Sequence, residues 1–189
     1  VEIVWPTQVR LALEEAALPE DSTSQRSIWP VMNGHAAPGD VTAPLVYVNY
    51  GLVEDYRILD SLGVSVRGKI AVARYGRSFR GIKAREAEAH GAAALLIYSD
   101  PQDDGYVVGD VYPEGPMRPA GGVQRGSILN ISGGDPASPG WAAVQGARRL
   151  PLDSMDLPRI PVVPIAYGNA ARLLEPLRGD AVPAGWQGG

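Results

Sequence analysis

The sequence predicts an α/β domain with a parallel β-sheet at its core, and three observations carry that prediction. Short apolar, β-branched or aromatic runs recur in PLVYVNYG (44–51), GKIAVARYG (68–76) and AAALLIYSD (92–100). The first two runs each lead into a stretch with helical character that closes on a glycine. Strand, helix, strand, helix, strand in succession is the pattern of right-handed βαβ units, whose strands must run parallel. With 189 residues, 45% of them hydrophobic, the chain can bury a full core, and a single domain over 1–189 is expected.

Residues 1–43 read as an extended N-terminal strand and loop. Val9, Leu11 and Leu13 alternate with Arg10, Ala12 and Glu14, the period of a half-buried strand. From Pro19 to Pro44 the chain is polar, with Pro and Gly and a few anchors, Ile28, Trp29 and Val31, which suits a long surface loop. A buried strand then follows at Leu45–Val48. Val53, Tyr56, Leu59 and Leu62 recur at helical spacing and stop at Gly63. Ile70, Ala71, Val72 and Ala73 make the next strand, and Ser78 stands where it can cap a helix through FRGIKAREAEAH to Gly91. The third strand is AAALLIYSD. Periodicity fades between Asp100 and Pro158 except for a short ILNI at 128–131. Val162–Ile165 predicts a last strand, and Ala170, Leu173, Leu174 and Leu177 predict a last helix ending before Gly179.

The chain begins at Val1, with neither an initiator Met nor a basic, then apolar, leader, so it reads as a piece of a longer polypeptide. No apolar run approaches the ~20 residues that cross a bilayer. The 17 basic and 21 acidic residues leave a net charge of −4, which disfavours nucleic acid as a partner. Zero cysteines exclude disulfides, thiolate metal sites and cysteine nucleophiles, but leave the compartment open. The 23 glycines and 17 prolines point to many turns and long ordered loops, where function concentrates.

The residues show no catalytic machinery. His35 and His90 stand apart from any ligand spacing such as HExxH, and His90 has a sufficient role at the negative end of a helix. No serine sits in a GxSxG elbow. DPQDDG (100–105) fails as a calcium loop, with Pro101 in second position and Val111 in place of the bidentate Glu, and reads as a solvated acidic turn. GGVQRGS (121–127) fails as a phosphate loop because Ser127, not Lys, follows Gly126. What stands out are arginines on glycine-flanked turns: Arg74 in RYG, Arg77 and Arg80 in RSFRG, and Arg125 in QRG. Glycine permits close approach, and a guanidinium is a planar fork matched to a carboxylate. The same arginines could equally pair with surface acids, and composition does not choose.

GKIAVARYGRSFRGIKAREAEAHGAAALLIYSDP (68–101) followed by YPEGPMRPAGGVQRGSILN (112–130) resembles the protease-associated domain of glutamate carboxypeptidase II-like zinc peptidases, in the transferrin receptor-like superfamily. The similarity continues through GDPASPGW (134–141), LPRIPVVPIAY (157–167) and the terminal GWQGG, from about Pro44 onward. YGxxFRGxK together with GGVQRGxIL is its specific signature.

The resemblance implies a swivelling β/β/α sandwich with long loops, set into a larger peptidase as an accessory domain. It implies that no catalytic residue and no cofactor belongs to this chain, and that a peptidase domain of the same polypeptide holds two zinc ions and the general base. Small peptides are the implied substrate, and the parent can be a homodimer that is secreted, periplasmic or on the extracellular side of a membrane. Arg80 matches the arginine that binds the C-terminal carboxylate of the substrate. Ser127 falls where glutamate-selective members carry an asparagine, and Asp104 replaces an aromatic near the active-site funnel, so both point away from a glutamate preference. Ser138 and Trp141 match positions whose main-chain carbonyls bind a structural calcium at the domain border. A structural or interaction module of a catalytically inactive transferrin receptor-like protein is the competing reading. A free-standing peptide-recognition domain is the third.

Overall fold

The computed structural model describes residues 1–26, 29–130, 134–179 and 182–189. Ile28 and Ile131, singled out from the sequence, lie outside the described residues. In chain order the elements are β1 (Glu2–Ile3), β2 (Val9–Arg10), β3 (Asn33–Gly34), β4 (Leu45–Tyr47), α1 (Val53–Ser61), β5 (Ile70–Arg74) and α2 (Arg80–Ala89). They continue with β6 (Ala94–Tyr98), α3 (Pro101–Asp104), β7 (Gly126–Ser127), a 3-10 turn (Leu152–Ser154), β8 (Val162–Ile165) and α4 (Tyr167–Leu174).

Four strands form one all-parallel sheet in the order β4-β5-β6-β8, as the βαβ reading requires. Alternation divides its side chains between two faces. Ala71, Ala73, Leu95 and Ile97 meet Tyr56 and Leu59 of α1 and Ala84 and Ala87 of α2. Val72, Leu96, Tyr98 and Ile165 meet Ala170 and Leu173 of α4 and Leu11 of the N-terminal segment. Both faces are therefore covered, as a parallel sheet needs. Alanines on β5 facing alanines on α2 let helix and sheet approach closely. Leu95 and Ile97 are fully buried, each worth roughly 1.5–3 kcal/mol relative to exposure.

Several boundaries differ from the sequence reading, each for a local reason. The alternating N-terminal segment pairs only at Val9–Arg10, with Glu2–Ile3, although Val9, Leu11 and Leu13 do face inward as their period requires. Helix α1 ends as expected, with Gly63 in the left-handed region at φ +70°. Phe79, not Ser78, is the N-cap of α2, and no side chain caps it. Helix α4 stops at Leu174, short of Leu177, because Pro176 cannot donate to the helical ladder. A short strand lies just ahead of the ILNI run, at Gly126–Ser127, paired in parallel with Asn33–Gly34 inside the segment read as loop.

The acidic turn is solvated at Gln102 and Asp103, which are exposed, but not at Asp100. Asp100 is 2% exposed and accepts from Tyr98 Oη, Gln102 N and Gly189 N, with Arg74 Nη1 at 3.7 Å. Arg74 in turn donates to Asn49 Oδ1 and to the carbonyls of Gly185 and Gln187, and lies over the Tyr50 ring. The GWQGG segment is thus tied into a buried polar network at the ends of β5 and β6.

Candidate functional site

The turn between β5 and α2 is held by a lysine. Lys83 is fully buried, and its Nζ donates to the carbonyls of Tyr50 (2.6 Å) and Gly76 (2.8 Å). Burial without a carboxylate partner pushes its pKa down to about 8. This anchor fixes the chain just before Arg80, the first residue of α2.

The guanidinium of Arg80 lies 5.7 Å from the Tyr75 ring centre and 5.8 Å from the Phe79 ring centre, within cation–π range of both. Gly126 faces it so closely that a Cβ there would overlap Nη1 and Cζ. Nη1 makes one long bond to the Ser127 carbonyl, 3.4 Å, and Nε is buried without a partner. Among the described residues no carboxylate lies within ion-pair distance of Arg80. Burial raises the pKa of Tyr75, with the Arg80 charge opposing it, and Tyr75 Oη donates to the Gln124 carbonyl at 2.9 Å. Asn130 closes this corner: its Nδ2 donates to the Gly81 carbonyl at 2.8 Å, and its Oδ1 is buried and unpartnered.

The loop opposite Arg80 is positioned by the N-terminal segment. Glu15 accepts from Val123 N at 2.7 Å with one oxygen and ion-pairs with Arg125 through the other. Arg125 Nε also donates to the Pro30 carbonyl. Asn33 and Gly34 pair with Gly126 and Ser127, and Ile128 N donates to the Gly34 carbonyl. His35, at φ +69°, places Nδ1 2.9 Å from Ser127 Oγ, which also accepts from Leu129 N.

The four glycine-flanked arginines therefore do different things. Arg74 is buried structure, Arg125 is paired with Glu15, and Arg77 lies over the Tyr50 ring. Among the described residues neither Arg77 nor Arg80 has an ion-pairing acid, but Arg77 is exposed, whereas Arg80 is half-buried with its Nε unbonded. Of the residues expected at the substrate, Arg80 and Ser127 come together. Asp104 sits on α3, its carboxylate bonded by Arg118 Nε at 2.7 Å. His90 stacks on Tyr56 and contacts the Glu86 carbonyl, in keeping with a helix-end role. Glu15, Asn33, His35 and Asn130 carried no readable signal, because their partners lie far away in sequence. Among the described residues no group of three His, Cys, Asp or Glu could hold a metal ion.

Residues 41–131 match the family model of the PA domain. The chain carries a PA domain. Over 95% of its length it is 38% identical to a probable glutamate carboxypeptidase VP8 of Zea mays, and over 82% it is 39% identical to aminopeptidase NAALADL1 of Rattus norvegicus. It spans only 23% and 21% of those two proteins. Among solved structures, an aminopeptidase from Aneurinibacillus sp. strain AM-1 shares 37% identity over 34% of this chain and 15% of that one, at a TM-score of 0.30, too low to bear on the fold.

Ser138 and Trp141 belong to a turn outside the family match. Ser138 N donates to the Asp135 carbonyl, Trp141 N donates to the Ser138 carbonyl at 3.3 Å, and Trp141 Nε1 donates to the Arg148 carbonyl. Ser138 Oγ is buried without a partner. Asp135, the nearest acid in sequence, is ion-paired with Arg149. The turn thus offers a carbonyl and an orphan hydroxyl, but no free carboxylate of its own.

Proposed function

We propose that this chain is the non-catalytic accessory domain of a larger, zinc-dependent exopeptidase, where it walls the active-site funnel and binds the C-terminal carboxylate of a short peptide through Arg80. One observation carries the reading: Arg80 is held on a fixed turn, stacked against Gly126, with a buried Nε unbonded and, among the described residues, no acid within ion-pair distance. A buried or half-buried guanidinium without an anion is costly unless a ligand supplies one. A purely structural module has no use for such an arrangement, which weighs against the transferrin receptor-like alternative.

The similarity to carboxypeptidases and aminopeptidases, and the small share of those proteins that the chain spans, support a peptidase domain elsewhere in the same polypeptide. That domain would hold the zinc ions, which polarise a scissile carbonyl and activate water. This chain's own part is to orient the substrate: the guanidinium fork takes the terminal carboxylate, and Tyr75 and Phe79 limit water around it. Ser127 is the second substrate-facing position. Asp104 lends negative charge farther along the wall, tempered by Arg118. Ser138 and Trp141 carbonyls, with the orphan Ser138 Oγ, would contribute to a structural calcium only if carboxylates come from the peptidase domain. The compartment is that of such peptidases, secreted, periplasmic or extracellular.

The test is Arg80→Ala in the full-length protein. The expected loss in kcat/KM on a peptide with a free C-terminal carboxylate is about 2–5 kcal/mol, the range for removing one partner of a buried charge pair. An unchanged kcat/KM removes Arg80 from the site.

A further inference from the structure

We infer that His35 is a specificity-determining residue of the Arg80 site, because the state of its ring decides whether the Ser127 hydroxyl can donate to a bound carboxylate. The inference rests on the reading of Arg80 as a carboxylate site. Ser127 Oγ has one proton to give and already accepts from Leu129 N at 3.0 Å. Its other contact is His35 Nδ1 at 2.9 Å. When Nδ1 carries no proton, the hydroxyl must donate to it, and its single proton is spent. When Nδ1 carries a proton, as it must once His35 is charged, Nδ1–H donates to Oγ. The hydroxyl proton is then free to turn to a ligand beside Arg80, whose Nη1 touches the carbonyl of the same serine.

The backbone makes this pairing durable. His35 follows β3, whose ladder to β7 pairs Gly34 with Ser127, and it occupies the left-handed region at φ +69°. A histidine there is uncommon enough to call for a reason. The charged and titratable groups on the elements around it are Arg80 of α2, Tyr75 after β5, and the Glu15–Arg125 pair on the loop before β7. β8, which also packs near β3, contributes none from Val162–Ile165. Glu15 is already spent on Arg125 and Val123 N, so among the described residues no carboxylate bonds to His35. With His35 charged, the site gains both a positive charge and a hydroxyl donor.

The experiment compares KM for a peptide with a free C-terminal carboxylate against its C-terminal amide, in the full-length protein, between about pH 5.5 and 8. Four forms are used: wild type, His35→Asn, Ser127→Ala and Arg80→Ala. Asparagine tolerates the left-handed backbone and does not titrate. In wild type the preference for the acid over the amide should grow roughly tenfold toward low pH, the scale of one hydrogen bond to a charged group. His35→Asn and Ser127→Ala should each flatten that growth. If either variant keeps the wild-type pH dependence while Arg80→Ala still loses the acid preference, the role of His35 is overturned and the carboxylate site stands. If Arg80→Ala leaves the preference intact, the carboxylate reading itself falls.

Discussion

The guanidinium of Arg80 rests on the bare α-carbon of Gly126, across 46 residues of sequence, with no space for a side chain between them. GGVQRG therefore matters for what its last glycine omits. The two segments that carry the family signature are two sides of one contact.

Gly126→Ala tests that contact. The glycine's backbone suits alanine, but the new methyl would displace the flexible end of Arg80. Substrate KM should rise by a large part of the Arg80→Ala effect, while the thermal midpoint moves little, since surface adjustments of this kind usually stay within about 0.5 kcal/mol. A normal KM with Gly126→Ala would show that the stacking is not needed for binding.

Glu15→Ala should loosen the far wall. It leaves Val123 N and Arg125 without their acceptor, at a cost of about 1.5–3 kcal/mol for bonds to a charged group. Faster amide hydrogen exchange at Val123, with the central strands unchanged, is the expected reading. Equal protection in variant and wild type would mean the N-terminal segment is not what holds the loop.

Lys83 predicts an unusual pH dependence of stability. Its pKa is near the ordinary lysine value when unfolded and about 8 when folded, so between those values the unfolded chain binds the extra proton. Stability therefore rises with pH across that window, by roughly 1 kcal/mol per pH unit, and the burial cost is fully present below it. Denaturant unfolding of wild type and Lys83→Met at about pH 7 and 9.5 isolates the effect, because tyrosine titrations are common to both. A constant difference between the two proteins would show that Lys83 keeps its ordinary affinity for a proton in the fold.

The amino-acid sequence alone determined the layered core of this protein. The alternation of Ala71 to Ala73 and Leu95 to Tyr98, the spacing of Tyr56 and Leu59, and the stop at Gly63 are local patterns, and local patterns specify strands, helices and their burial. Arg80 and Ser127 were proposed as site residues through a resemblance in short motifs, and the structure brings the two together. Only the tertiary structure decided how each glycine-flanked arginine is partnered. Arg74, Arg77, Arg80 and Arg125 look alike on their glycine turns, and they part ways through Asp100, Tyr50, Gly126 and Glu15. All four of those partners lie more than twenty residues away, and side-chain pairing over such separations has no period to read. The same holds for the strand at Asn33–Gly34, which is too short to register as a pattern and exists because Gly126–Ser127 lies beside it.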